Sequence, residues 1–133
     1  KYPIIFPVHP RTQKFLKGLK LNFKNLHYIS PLGYLEFNYL VKHAKAVLTD
    51  SGGITEETTV MNVPCMTLRN STERPETCNI GTNVLVGNDP EKISQAFYNL
   101  YSGHWKQGKA PELWDGKAAI RIVDHIMEIF KLS

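Results

Sequence analysis

Short β-rich runs alternate with stretches of helical period along the chain, and this alternation limits the possible folds more than any other feature. Ile4-Ile5-Phe6-Pro7-Val8 is the first strand candidate, and its prolines suggest an edge or a strand end. Residues 12 to 19 read as a short helix ending near Gly18, and Leu26-His27-Tyr28-Ile29 as a second strand. After Pro31-Leu32-Gly33, Phe37, Leu40, Val41 and Ala44 fall at i, i+3, i+4 and i+7, which predicts a helix with one apolar face. Ala46-Val47-Leu48-Thr49 follows as a third strand, apolar enough to suit a parallel strand covered on both faces. Asp50-Ser51-Gly52-Gly53 turns into a helix running to about Met61, with Asn62 at the left-handed position after it and Pro64 preventing continuation.

Cys65-Met66-Thr67-Leu68 and Val84-Leu85-Val86 complete five strands, the last closed by Gly87. Asn88 or Asp89 caps the next helix, Pro90 fits its first turn, and Ile93, Ala96, Phe97, Leu100 and Tyr101 keep its period. Residues 102–116 are rich in Gly, Pro and Lys and read as an excursion before a final amphipathic helix bearing Ala119, Val123, Ile126 and Phe130 on one face. The expected architecture is α/β, a doubly wound parallel sheet in a single domain, residues 1–133.

Composition excludes several classes. With 133 residues, 42% hydrophobic and 21% charged, the chain can bury a core without disulfides or a structural metal, and it is not disordered. Cys65 and Cys78 form no disulfide framework and read as free thiols in a reducing cytoplasm. No apolar run approaches the roughly 18 residues of a membrane span, so no membrane partner is expected. The chain opens on a strand candidate without an initiator Met, and the expectation is a fragment of a longer protein.

In an open parallel sheet, ligands bind beyond the carboxyl ends of the strands, which directs attention to the loops after Thr49 and Leu68. At Asp50-Ser51-Gly52-Gly53, two glycines allow close backbone approach to a ligand. The first helical N–H groups and the helix dipole suit a phosphate or diphosphate, with the Ser51 hydroxyl as a further donor. Glu57, a turn further on, can accept hydrogen bonds from sugar or ribose hydroxyls. The structural alternative is an ordinary strand-to-helix turn with Ser51 as its N-cap. The same four residues occur in trypsin-like serine proteases, but that fold is all-β and no triad partners stand here. In the second loop, residues 69–76, Arg69 and Arg74 can present planar donor pairs to a diphosphate; the alternative is a surface Arg–Glu pair.

His9, His27, His43, His104 and His125 lack metal-ligand spacing, so no metal is expected. Lys14, Lys17, Lys20 and Lys24 read as a solvated face, and no nucleic-acid partner is expected. Trp105 and Trp114 suit local packing or the wall of a groove. The final amphipathic helix suits docking on a further domain.

Several separated segments resemble one family. Pro7-Val8-His9, Pro31-Leu32-Gly33-Tyr34-Leu35-Glu36-Phe37, Leu48-Thr49-Asp50-Ser51-Gly52-Gly53-Ile54-Thr55-Glu56-Glu57, Leu68-Arg69, Thr72-Glu73-Arg74-Pro75-Glu76 and Gly81-Thr82 are similar, in order, to the C-terminal half of bacterial and archaeal non-hydrolysing UDP-N-acetylglucosamine 2-epimerases. The resemblance implies the C-terminal Rossmann-like domain of a GT-B-type two-domain fold. Ser51, Gly52 and Gly53 would hold the diphosphate, Glu57 the ribose, Arg74 the phosphates, and Leu32 (backbone) and Phe37 (ring) the uracil.

It further implies that UDP-GlcNAc and UDP-ManNAc interconvert by anti elimination of UDP to 2-acetamidoglucal and re-addition to the other face, without a cofactor. The acid and base groups would lie upstream, so no catalytic residue is expected in this chain and the chain alone is expected to be inactive. His9 would lie near an allosteric UDP-GlcNAc site, and the full-length protein would be a cytoplasmic homodimer. The chain departs from the pattern at Thr58-Thr59, at Asn62 and in the shortened Trp114-Asp115-Gly116 segment. A GT-B glycosyltransferase or a non-catalytic nucleotide-sugar sensor would use the same nucleotide site.

Overall fold

The computed structural model describes residues 2–19 and 23–131. The elements are β1 (Ile4–Pro7), α1 (Pro10–Leu16), β2 (Leu26–Ile29), α2 (Tyr34–His43), β3 (Val47–Thr49), α3 (Gly52–Val60), β4 (Cys65–Thr67), α4 (Pro75–Asn79), β5 (Asn83–Leu85), α5 (Pro90–Tyr101) and α6 (Ala118–Phe130). Strand and helix alternate from β1 to α5 and every strand pair is parallel, so the α/β class holds. The strands form two hydrogen-bonded sets, β1-β2 and β3-β4-β5, and the chain divides into two compact units, one ending at Tyr39 and one beginning at Leu40.

In the first unit, β1 pairs with β2 in the register Ile4 to Leu26 and Pro7 to Ile29. β1 is paired on one side only, as a strand containing proline permits. Its Ile4, Ile5 and Phe6 are exposed, in keeping with the edge or strand end that its prolines suggest. α1 starts two residues before its expected boundary, because His9 caps it and Pro10 supplies a preset first-turn φ. It ends at Leu16 instead of reaching Leu19. Of the lysines read as a solvated face, Lys20 lies outside the described residues.

In the second unit, β4 is the middle strand, with Val47 opposite Cys65 and Cys65 opposite Asn83. Its three residues are all buried, which is what a central parallel strand requires. β3 was expected to be covered on both faces, but it is an edge strand of its sheet and its Leu48 is 44% exposed. The core gathers Met66 from β4, Val86 just beyond β5, and Ala96 and Leu100 one turn apart on α5. Ala46, Leu68, Val84, Ile93, Phe97 and Trp105 pack around them.

Local chemistry sets most of the boundaries. Asn62 has φ 54°, the left-handed conformation expected after α3. The Asp89 carboxylate accepts from the N–H groups of Glu91 (2.9 Å) and Lys92 (3.4 Å), with Pro90 opening α5. Thr55, Thr58 and Thr59 face inward from α3 at almost no exposure. Threonine is a modest helix former, but here each hydroxyl donates back to a helix carbonyl: Thr55 to Gly52 (2.6 Å), Thr58 and Thr59 to Thr55 (3.1 and 2.8 Å). None of these three hydroxyls is buried without a partner, so the Thr58-Thr59 departure is accommodated.

Residues 102–116 form no helix or strand, as expected, but they are fastened down. Trp105 Nε1 donates to Thr82 O (2.9 Å), the Lys109 N–H to Ile80 O (3.1 Å), and the Lys106 ammonium to Cys78 O. Burial lowers the pKa of Lys106. Trp105 therefore belongs to the packing of this unit. α6 keeps its apolar face, and none of its residues is buried.

Candidate functional site

Leu68 donates its N–H to Thr49 O at 2.8 Å, so β3 and β4 finish side by side and their following loops start together. The buried Thr49 hydroxyl accepts the Ser51 N–H (3.0 Å) and turns the chain into α3. Ser51 stands at the N-cap with extended backbone (φ −91°, ψ 125°), and its hydroxyl makes no capping bond. The structural alternative for this residue, a serine occupied in capping, is therefore not what the geometry shows. The first N–H groups of α3 lack carbonyl partners in the preceding turn and point out of the helix end.

Gly52 and Gly53 open the helix. Neither has positive φ, and a Cβ built on either would meet nothing within 4 Å. Nothing among the described residues thus requires glycine at these positions. Gly81 is the contrast: a Cβ there would lie 2.6 Å from the Thr59 side chain and 2.7 Å from Thr77 O, so packing alone explains it. A paired glycine that the fold does not need, on a bare helix N-terminus, is what close approach of an anionic ligand calls for.

Glu57 is half-buried in the second turn of α3 and lies on the same helix stripe as Gly53, four residues before it. Glu56 shares a stripe with Gly52. Glu56 was given no role from the sequence, yet its carboxylate accepts from Arg74 Nε in an ion pair across 18 residues. Both side chains remain substantially exposed. The hydrogen bond to Glu56 and its charge raise the pKa of Arg74 above the ordinary arginine value.

Arg74 was expected in a polar loop over residues 69–76, but the end of that loop turns into α4, and Arg74 is the residue that precedes it. The five residues of α4 have no apolar period to betray a helix. It is held instead by a buried polar chain. Thr67 Oγ1 donates to Asn83 Oδ1 (2.7 Å), Asn83 Nδ2 to Thr77 Oγ1 (3.1 Å), and Thr77 Oγ1 to the Arg74 carbonyl (2.8 Å). Arg69 is exposed two residues beyond β4.

The structure therefore brings Ser51, Gly52, Gly53, Glu57 and Arg74 onto or against α3, with Arg69 in the neighbouring loop. His9, Leu32 and Phe37 belong to the first unit. His9 is exposed, and its Nδ1 accepts the Arg11 N–H at 3.2 Å, giving it a capping role that the sequence reading missed. Leu32 and Phe37 are half-buried; the Gly33 N–H between them donates to Glu36 Oε2 (3.0 Å), which fixes the entry into α2. Among the described residues, no group of three or more His, Cys, Asp or Glu could hold a metal ion, and no helix is long and apolar enough to cross a membrane.

Parallel strands flanked by helices, with a bare glycine-rich helix end and arginine-bearing loops beyond the strand ends, fit a Rossmann-like domain. The family model described as UDP-N-acetylglucosamine 2-epimerase matches residues 1–127. The chain belongs to this family.

Its relatives include a UDP-N-acetylglucosamine 2-epimerase from Methanocaldococcus jannaschii, 45% identical over an alignment 127 positions long that covers 90% of this chain and 34% of the relative. A crystal structure of the enzyme from that organism, in complex with UDP-GlcNAc and UDP, matches with a TM-score of 0.80 and 42% identity over 95% of this chain and 36% of that one. A Pseudomonas aeruginosa UDP-2,3-diacetamido-2,3-dideoxy-D-glucuronate 2-epimerase is 34% identical over 96% of this chain and 35% of its own length. The chain spans about a third of the length of the curated relatives it matches.

Proposed function

We propose that this chain is the UDP-binding, C-terminal lobe of a UDP-N-acetylglucosamine 2-epimerase, and that the intact protein interconverts UDP-GlcNAc and UDP-ManNAc. The observation that carries the reading is the bare end of α3, where the Ser51 hydroxyl caps nothing and Gly52 and Gly53 leave open space, in a chain of this family. In this reading Ser51, Gly52 and Gly53 hold the diphosphate, and Glu57 accepts from the ribose hydroxyls. Arg74 and Arg69 offset phosphate charge, while the Leu32 backbone and the Phe37 ring receive uracil. His9 borders a second, regulatory UDP-GlcNAc site, and the intact protein is a cytoplasmic homodimer.

The lobe's contribution to the reaction is electrostatic. Anti elimination breaks the bond between the sugar C1 and the β-phosphate oxygen while a base outside this chain takes the C2 proton, giving 2-acetamidoglucal and UDP. Negative charge grows on the departing phosphate, where the helix end and a guanidinium favour it more than in the bound substrate. UDP stays in place and returns to C1 as the proton is delivered to the other face of C2.

The test is incubation of the intact protein with UDP-GlcNAc in D2O. The expected result is UDP-ManNAc with deuterium at C2. Stable UDP-GlcNAc without exchange refutes the reading, and sugar transfer to an added acceptor without C2 exchange points to a GT-B glycosyltransferase instead. The Pseudomonas relative motivates a parallel incubation with the UDP-diacetamido uronate. Exchange confined to that sugar would keep the UDP lobe and the chemistry but change the substrate.

A further inference from the structure

We infer that Glu56 is a positioning residue for the diphosphate, acting through Arg74; the inference rests on the UDP-binding reading above. Glu56 lies in the second turn of α3, about 7.5 Å along the axis from Ser51 at 1.5 Å per residue. It shares a stripe with Gly52, and helical side chains lean toward the N-terminus, so the Glu56 carboxylate is directed toward the proposed phosphate site. A carboxylate there would oppose an anion if it stood alone. It does not, because it accepts from Arg74 Nε, so this face of α3 presents a guanidinium instead of a bare negative charge.

The rest of Arg74 is held with equal care. Its N–H donates to Thr72 Oγ1 (3.0 Å), its carbonyl accepts from the Thr77 N–H (3.1 Å) and Thr77 Oγ1 (2.8 Å), and Nη1 donates to Glu73 O (3.2 Å). Thr77 is fully buried and tied through Asn83 to β4, so the base of the side chain is anchored in the core. Among the described residues, no hydrogen bond from Nη2 accompanies those of Nε and Nη1. A flexible arginine would lose rotamer freedom on meeting a phosphate, and that ordering cost weakens binding. Here the ion pair to Glu56 makes that selection before the ligand arrives.

The opposite outcome is physically distinct. If Glu56 competes with the diphosphate for the guanidinium, removing its charge frees Arg74 and binding tightens. The test is a double-mutant cycle in the intact protein, reading UDP affinity by calorimetry and KM and kcat by turnover. Each variant's melting temperature checks its fold. Arg74→Ala is expected to weaken UDP binding about 10–100-fold, the range for a hydrogen bond to a charged group. Glu56→Ala is expected to weaken it about 3–10-fold, consistent with the ordering cost above. Glu56→Gln, which keeps an acceptor, should recover part of the loss, and Glu56→Ala combined with Arg74→Ala should bind no worse than Arg74→Ala alone.

Tighter binding in Glu56→Ala, additive losses in the double variant, or no change at Glu56 while Arg74→Ala weakens UDP would each overturn the positioning role and leave the UDP site standing. No loss in Arg74→Ala overturns both the role and the assignment of Arg74.

Discussion

Replacing Gly52 by alanine separates what the fold needs from what a ligand needs. A Cβ at Gly52 meets no atom within 4 Å, and φ is not in the left-handed region, so alanine fits the folded chain without strain. Glycine loses more backbone entropy than alanine on folding, and where the native φ and ψ suit alanine the exchange stabilises by about 0.4–1 kcal/mol. The same methyl group stands at the mouth of the helix, where the N–H groups must reach a phosphate oxygen at about 2.7–3.2 Å. Pushing the anion out of reach forfeits hydrogen bonds to a charged group, about 1.5–3 kcal/mol each. Gly52→Ala in the intact protein should therefore match or exceed the parent in urea midpoint while UDP affinity falls about 10-fold or more by calorimetry. Gly81→Ala is the control. Its Cβ would lie 2.6 Å from Thr59 and 2.7 Å from a backbone oxygen, and overpacking of this kind costs about 1–3 kcal/mol. If Gly52→Ala lowers stability as Gly81→Ala does and leaves UDP affinity intact, the claim that ligand approach explains this glycine is wrong.

Three further outcomes can be checked. Asn83→Leu removes the link between Thr67 and Thr77 and takes Asn83 Oδ1 from the buried Thr67 hydroxyl, while Thr77 keeps its bond to the Arg74 carbonyl; at about 1–3 kcal/mol for an unsatisfied buried group, chemical denaturation should show a loss of about 1–3 kcal/mol. Asp115 accepts both terminal nitrogens of Arg121 and the Lys117 N–H, which push its pKa down to about 2, below the roughly 3.9 of an unfolded aspartate. A depressed carboxylate stabilises above the unfolded value and loses that contribution as pH falls through the folded one, so urea midpoints of parent and Asp115→Asn should converge between about pH 4 and 2; a gap at pH 2 as wide as that at pH 5 refutes the pairing. Burial pushes the Cys65 thiol above its ordinary value, so under native conditions iodoacetamide should modify half-buried Cys78 before Cys65, and equal rates would contradict the packing of β4.

What the sequence disclosed and what it hid divide along a physical line. The turn at Asp50-Ser51-Gly52-Gly53, the left-handed Asn62 and the Asp89-Pro90 cap were legible because each is set by its own few residues. Leu48 was misjudged because an apolar run states how much surface a strand offers, not whether a helix arrives to cover its face. α4 stayed hidden because its stability comes from Thr77 bonding to Asn83, and no periodicity records a hydroxyl-to-amide contact.

The candidate site was legible in part for the same reason. Its helix end is local, but the state of Arg74 depends on Glu56, 18 residues away, and on threonines whose burial only the packed sheet decides. The sequence offered two readings of that arginine, a phosphate ligand or a partner of a surface glutamate, as though they were exclusive. The geometry makes them compatible, because a carboxylate on Nε occupies one side of the guanidinium and leaves Nη2 for an anion. A surface ion pair contributes little stability. Its value at this position lies in holding a cation toward the end of α3 where the proposed diphosphate would sit, and the Glu56 and Arg74 cycle measures that value directly.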